Sequence, residues 1–153
     1  MIQQYKHILV AVDGSDESEL AFAKAVNVAK RNQAKLFLAH IIDTRAFQSV
    51  SSFDDELASQ ATELAKQTLA DLSAKAKRNG VAHVVEIVEY GAPKGLLARQ
   101  LPDEYEIDLI MVGATGLNAV ERLLIGSVSE YIIRHAHCDV LVVRTDLTNQ
   151  RPE

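Results

Sequence analysis

The run Ile8-Leu9-Val10-Ala11-Val12 holds no polar residue, and that continuity narrows the possible folds more than any other feature of the chain. A strand with one face in water alternates apolar and polar side chains, whereas an unbroken run belongs to a strand covered on both faces. The pattern recurs. Leu36 to Ile42, Val84 to Val88, Ile107 to Val112 and Val140 to Val143 are further short runs rich in β-branched and aliphatic residues. The stretches between them carry helical spacing rather than hairpin turns, so the strands must pair in parallel.

The intervening segments read as helices with recognisable ends. Asp13-Gly14-Ser15 breaks the first run, and Ser15 or Asp16 can cap the helix that follows. Ala21, Ala25, Val28 and Ala29 then give a stripe that can lie on a sheet. Thr44 to Phe53 is polar and irregular and reads as a loop. A long helix follows, with Ser52 and Asp55 at capping-box spacing and Leu57, Ala61, Leu64, Leu72 and Ala76 expected on one face. Asn79-Gly80 ends it, because glycine takes the left-handed conformation cheaply. Pro93 opens a short helix through Leu101, and another is expected from about Ser127 to His135. Five strands alternating with helices predict an α/β fold: a doubly wound, Rossmann-like parallel sheet with helices on both faces and right-handed crossovers.

At 153 residues, with no internal repeat, low-complexity tract or linker, the whole of 1–153 is expected to form one domain. A net charge of −5 argues against a general nucleic-acid binder, since phosphate-backbone binding needs a positive surface. The single cysteine, Cys138, excludes an internal disulfide framework and suits a reducing compartment. Met1 to His7 is too polar for a signal peptide, and no apolar stretch reaches the ~20 residues of a membrane span. A cytoplasmic protein without a membrane partner is expected.

In such sheets a ligand lies beyond the carboxyl ends of the strands, where strand order reverses. Two strand ends stand out: Ala11-Val12-Asp13-Gly14-Ser15, and Val112-Gly113-Ala114-Thr115-Gly116 leading to Gly126-Ser127-Val128-Ser129. The spacing Gly113-x2-Gly116-x9-Gly126-Ser127 lets backbone approach a ligand closely and ends at a helix start, where free amides and the helix dipole favour an anion. Ser127 and Ser129 add hydroxyls. These parts describe a phosphate cradle made mostly of backbone.

This glycine pattern, the Val-Asp-Gly-Ser turn and the closing Asp139-Val140-Leu141-Val142-Val143 resemble the universal stress protein family over about His7 to Arg144. The resemblance implies an adenine nucleotide hydrolase-like fold and the ATP-binding branch that keeps the glycines. It also implies a nucleotide-responsive dimer in stress response or signalling. Carried onto this sequence, it implies Ala11, Val12 and Asp13 at the adenosine end, with Ile41 and Val112 lining the adenine pocket. Gly113, Thr115, Gly116, Gly126, Ser127, Val128 and Ser129 would surround the phosphates. Relatives often carry a basic or imidazole side chain before the second glycine; Thr115 stands there, so the site holds less positive charge. ATP, ADP or AMP, with Mg²⁺, is the implied ligand, and Asp13 is a candidate for the ribose or for a water-mediated contact to Mg²⁺.

Other signals have plainer readings. Asp13 can instead cap the first turn. His135-Ala136-His137-Cys138 matches no zinc spacing, so no protein-ligated metal is expected, and Cys138 reads as a core residue near the last strand. His40 reads as a packed histidine, Gly91-Ala92-Pro93-Lys94-Gly95 as a turn into a helix, and Asp54-Asp55-Glu56 as acids complementing a helix dipole. No residue is evidently placed to activate a water, and only Arg122 could swing toward a terminal phosphate, so at most slow ATP hydrolysis is expected. The alternative is a nucleotide-free dimeric adaptor of the same fold. A phosphoacceptor would need more acids near Asp13, and a flavin site more aromatics. The apolar last strand, if at the sheet edge, is a template for a homodimer through Val140–Val143.

Overall fold

The computed structural model describes residues 4–47, 54–114 and 125–144. Five strands form the sheet: β1 (His7–Ala11), β2 (Lys35–Ile42), β3 (Val84–Tyr90), β4 (Leu109–Gly113) and β5 (Asp139–Val143). All pairings are parallel and the order is β3-β2-β1-β4-β5. The chain therefore builds outward from β1 to β3, then crosses back to lay β4 on the other side of β1. The helices are α1 (Asp16–Asn32), α2 (Asp54–Arg78), α3 (Pro93–Gly95), α4 (Leu101–Glu104) and α5 (Ser127–His135). A π-helical stretch, Leu96–Gln100, joins α3 to α4, so the helix expected from Pro93 to Leu101 runs on to Glu104. Thr44–Phe47 forms a single 3-10 turn after β2.

The continuous apolar runs follow from two cores, one on each face. Ile8, Val10, Val12, Leu36, Leu38, Leu109 and Met111 pack with Ala21, Phe22, Ala25, Val26 and Ala29 of α1 and with Leu69 and Ala76 of α2. Leu9, Phe37, Ala39, Ile87, Ile110 and Val112 meet Leu97, Ala98, Leu101 and Ile132 on the other side. Neighbouring residues thus serve opposite cores: Ile8, Leu9 and Val10 are each fully buried. Burying a side chain of this size contributes about 1.5–3 kcal/mol relative to leaving it in water.

Ser15 caps α1, its hydroxyl accepting from the Ser18 amide at 3.1 Å. Gln33, at φ 54°, ends that helix without a glycine. Gly80, at φ 106°, ends the Asn79-Gly80 turn after α2, and its amide donates to the Lys77 carbonyl. The capping pair Ser52 and Asp55 lies outside the described side chains.

Three expectations need correction. β1 and β4 each sit about one residue off the apolar runs, because Val12 lies just past the end of β1 and Ile107 is buried in the turn before β4, its amide bound to the Pro102 carbonyl. β3 runs two residues beyond Val88, ending its ladder with Ile42 opposite Tyr90. The leucine row of α2 does not all face the sheet: Leu64 is 67% exposed and Leu57 39%, while Ala65, Leu69, Ser73 and Ala76 are buried. Two apolar rows one residue apart overlap on this helix, and only contact with β2 and β3 selects between them. Leu64→Lys should accordingly change stability by no more than about 0.5 kcal/mol, whereas Leu69→Ala should cost about 2–5 kcal/mol. Chemical denaturation of the two variants measures both.

Candidate functional site

The strand order reverses between β1 and β4, which are direct neighbours with Val10 opposite Met111. Their ends therefore leave the sheet side by side. α5 is tied to the same point. The Gly126 amide donates to the Ala114 carbonyl at 2.8 Å, and the Ser129 hydroxyl to the Gly113 carbonyl at 2.7 Å. The Ala114 amide in turn donates to the Val143 carbonyl at the end of β5. β1, β4, β5 and the start of α5 thus meet at the carboxyl end of the sheet, where a parallel sheet has its ligand crevice.

Ala11, Ile41, Val112 and Val128 all pack on the α5 side of the sheet and give the crevice an apolar wall. Val12 faces the opposite core, so only its backbone is available here. That backbone is occupied: its amide donates to the Ala39 carbonyl at 2.8 Å, and its carbonyl accepts from Nδ1 of His40 at 2.7 Å. His40 is half-buried rather than a core residue, its ring bonded to the Val12 carbonyl.

Asp13 is exposed. Its Oδ1 accepts from the Ser15 amide at 2.9 Å and from the Ser15 hydroxyl, and its own amide donates to Ser18 Oγ at 3.4 Å. Asp13 therefore builds the turn that starts α1, the plainer of its two expected roles. Among the described residues Oδ2 has no hydrogen-bond partner, so one carboxylate oxygen is still open to a ligand. Gly14 takes φ 83°, a backbone conformation that side chains with a Cβ resist.

The glycines divide by role. At Gly113 an added Cβ would fall 2.7 Å from Cβ of Glu17 and 2.8 Å from its backbone carbon and oxygen. Glycine is required there for α1 to lie against β4, whether or not a ligand binds. Gly126 adopts φ −62° and ψ 157°, open to any residue, and as N-cap of α5 it offers no capping side chain. Among the described residues no side chain accepts from the first-turn amides of Ser127, Val128 and Ser129, and Ser127 is exposed. Ser129 is buried and its hydroxyl donates to the Gly113 carbonyl. Thr115, Gly116 and Arg122 lie outside the described residues.

The histidine-cysteine cluster serves structure at this stage of the chain. Tyr131 and His135 stack with ring centroids 4.2 Å apart, and Arg99 donates through Nε to the His135 carbonyl, holding the end of α5. Cys138 is half-buried against the α5-side core, and burial followed by the Asp108 and Asp139 charges pushes its thiol up to about 11. Among the described residues no group of three or more His, Cys, Asp or Glu could hold a metal ion, and no helix is long and apolar enough to cross a membrane.

Comparison with known proteins now adds a decisive match: residues 4–144 fit the profile of the universal stress protein family. The chain belongs to this family. It is 50% identical over 142 residues to a universal stress protein of Staphylococcus haemolyticus, covering 93% of this chain and 86% of that one. Among solved structures it is similar to universal stress protein UspA from Lactobacillus plantarum, with 34% identity, a TM-score of 0.75, and 94% and 100% of the two chains covered. It is also similar to a universal stress protein in complex with cAMP, with 29% identity, a TM-score of 0.71, and 93% and 98% covered. The family match agrees with the parallel sheet and its switch point.

Two outcomes follow from this geometry. Gly113→Ala should lower stability by about 1–3 kcal/mol through overpacking against Glu17, so a loss of ligand binding in that variant would report displaced α1 as much as a lost ligand contact. Thermal or denaturant unfolding without ligand separates the two. Native Cys138 should react slowly with a thiol reagent at pH 8. Its thiol titrates near 11 rather than the ordinary 9.0, leaving on the order of a hundredfold less thiolate than in the unfolded chain. Because burial disfavours the charged form, stability should also fall as pH rises from about 9 toward 11.

Proposed function

We propose that this universal stress protein binds an adenine nucleotide, ATP, ADP or AMP with Mg²⁺, in the crevice between the ends of β1 and β4, and acts as a nucleotide-responsive homodimer in stress response or signalling. The observation that carries the reading is the uncapped first turn of α5, held by Gly113–Ser129 and Ala114–Gly126 hydrogen bonds beside an apolar wall. Free amides at a helix start favour a phosphate group, and Ala11, Ile41 and Val112 offer a surface suited to a purine. The phosphates would hold most of the Mg²⁺ coordination, with the open oxygen of Asp13 reaching it through water. That a similar protein is named as a cAMP complex supports the adenine preference.

The homodimer reading rests on the edge. β5 ends the sheet, Leu141 is 39% exposed on it and Ile133 of the adjacent α5 45%. An exposed edge of this kind invites antiparallel pairing with a second copy about a twofold axis. The alternative, a nucleotide-free adaptor, draws support from the structural duties of Gly113, Gly126 and Ser129, which account for those residues without a ligand.

Calorimetric titration with ATP and AMP, with and without Mg²⁺, separates the readings when run beside Ser127→Asp. An acidic residue in the exposed first turn complements the helix dipole, so the variant should unfold at or above the wild-type temperature. It should nonetheless bind ATP at least about tenfold more weakly, with a smaller loss for AMP, because its charge faces the phosphates. A folded, nucleotide-free wild type that gives no heat with either nucleotide would overturn the binding reading and favour the adaptor.

A further inference from the structure

His40 lies one residue before the apolar wall, yet its ring makes the contact that ends the β1–β2 ladder. In a regular parallel ladder the rung after Val12 N–H to Ala39 O would bring the Ile41 amide to the Val12 carbonyl. Here Nδ1 of His40 reaches that carbonyl at 2.7 Å. A carbonyl only accepts, so Nδ1 carries the proton in either charge state of the ring. The peptide it grips is the Val12–Asp13 bond, where the chain leaves the sheet.

The same peptide is also held by its N–H edge, and the residues after it are held from α1. Asp13 N–H donates to Ser18 Oγ, Asp13 Oδ1 accepts twice from Ser15, and Ser18 Oγ donates back to the Ser15 carbonyl at 3.0 Å. Between Asp13 and Ser15 the main chain passes through Gly14 at φ 83°, which offers no side chain of its own to hold it. His40 is thus the one side chain on β2 that bonds this turn among the described residues, and it adjoins Ile41 of the wall.

We propose that His40 is a positioning residue of the nucleotide site. Its Nδ1–H holds the carbonyl edge of the Val12–Asp13 peptide while Ser18 Oγ accepts from the N–H edge, and the shorter His40 bond is the stronger restraint on the direction in which Asp13 presents its open carboxylate oxygen to the ligand. The proposal rests on the nucleotide reading above. It gives His40 no proton-transfer role: the donated hydrogen bond persists whether the ring is neutral or charged.

The test uses two substitutions of matched shape. Asn carries an amide nitrogen near the place of Nδ1 and can donate to the Val12 carbonyl, whereas Leu, of similar outline, cannot. AMP affinity of His40→Asn should stay within about threefold of wild type, and that of His40→Leu should fall about tenfold, the scale of one lost hydrogen bond. Amide hydrogen exchange without nucleotide supplies an independent reading: Asp13 and Ser15 should exchange faster in His40→Leu and near the wild-type rate in His40→Asn. Equal losses in Asn and Leu, or wild-type affinity in a folded His40→Leu, would overturn the proposal and leave the histidine a packing role. Wild type that binds no AMP removes the nucleotide role altogether. Unchanged exchange in His40→Leu would refute the grip on the turn even where wild type binds.

Discussion

The close approach of β4 to the start of α1 is the constraint on which the rest of the site depends. Gly113 meets Glu17 across a gap that no Cβ can share. With α1 seated there, the turn from Asp13 to Ser15 is brought beside the end of β4, and the Gly113 carbonyl is presented to Ser129 of α5. A side chain at this position would push α1 away from the sheet and separate the two halves of the crevice. The glycine therefore sets the geometry first, and any ligand contact is a consequence of that geometry.

Anchoring and openness are combined in the same few residues. Polar groups near a core must be hydrogen-bonded, and the Ala114, Gly126 and Ser129 groups satisfy this within the protein. The first-turn amides of α5 find no side-chain acceptor among the described residues, because its N-cap is a glycine without a capping atom. Any of Ser, Thr, Asp or Asn there would close the turn with its own oxygen. The fold thus anchors the backbone around α5 while its N-cap leaves the first turn without a capping oxygen, an arrangement suited to an anion.

Much of this was legible in the chain. Unbroken apolar runs such as Ile8 to Val12 require covering on both faces, and helical spacing between them requires parallel pairing. The two glycine-bearing turns follow strands, so they had to lie at the carboxyl ends. Other features were hidden. Leu64 and Ala65 are adjacent apolar residues on α2, and hydrophobicity alone cannot say which one meets the sheet. Ser129 reads as a free hydroxyl until its distance to the Gly113 carbonyl is known. His40 carries no spacing signal, since its partner Val12 lies on another strand.

The sequence by itself determined the fold class, the Ser15 cap of α1, the Asn79-Gly80 stop of α2 and the membership of the universal stress protein family, because period, turn chemistry and motif spacing are local properties written along the chain. Tertiary structure decided which face of α2 is buried, which motif residues serve packing and which amides stay open. Those outcomes depend on distances between segments far apart in sequence, where a shift of an ångström decides whether a glycine is required or a hydroxyl is already bonded.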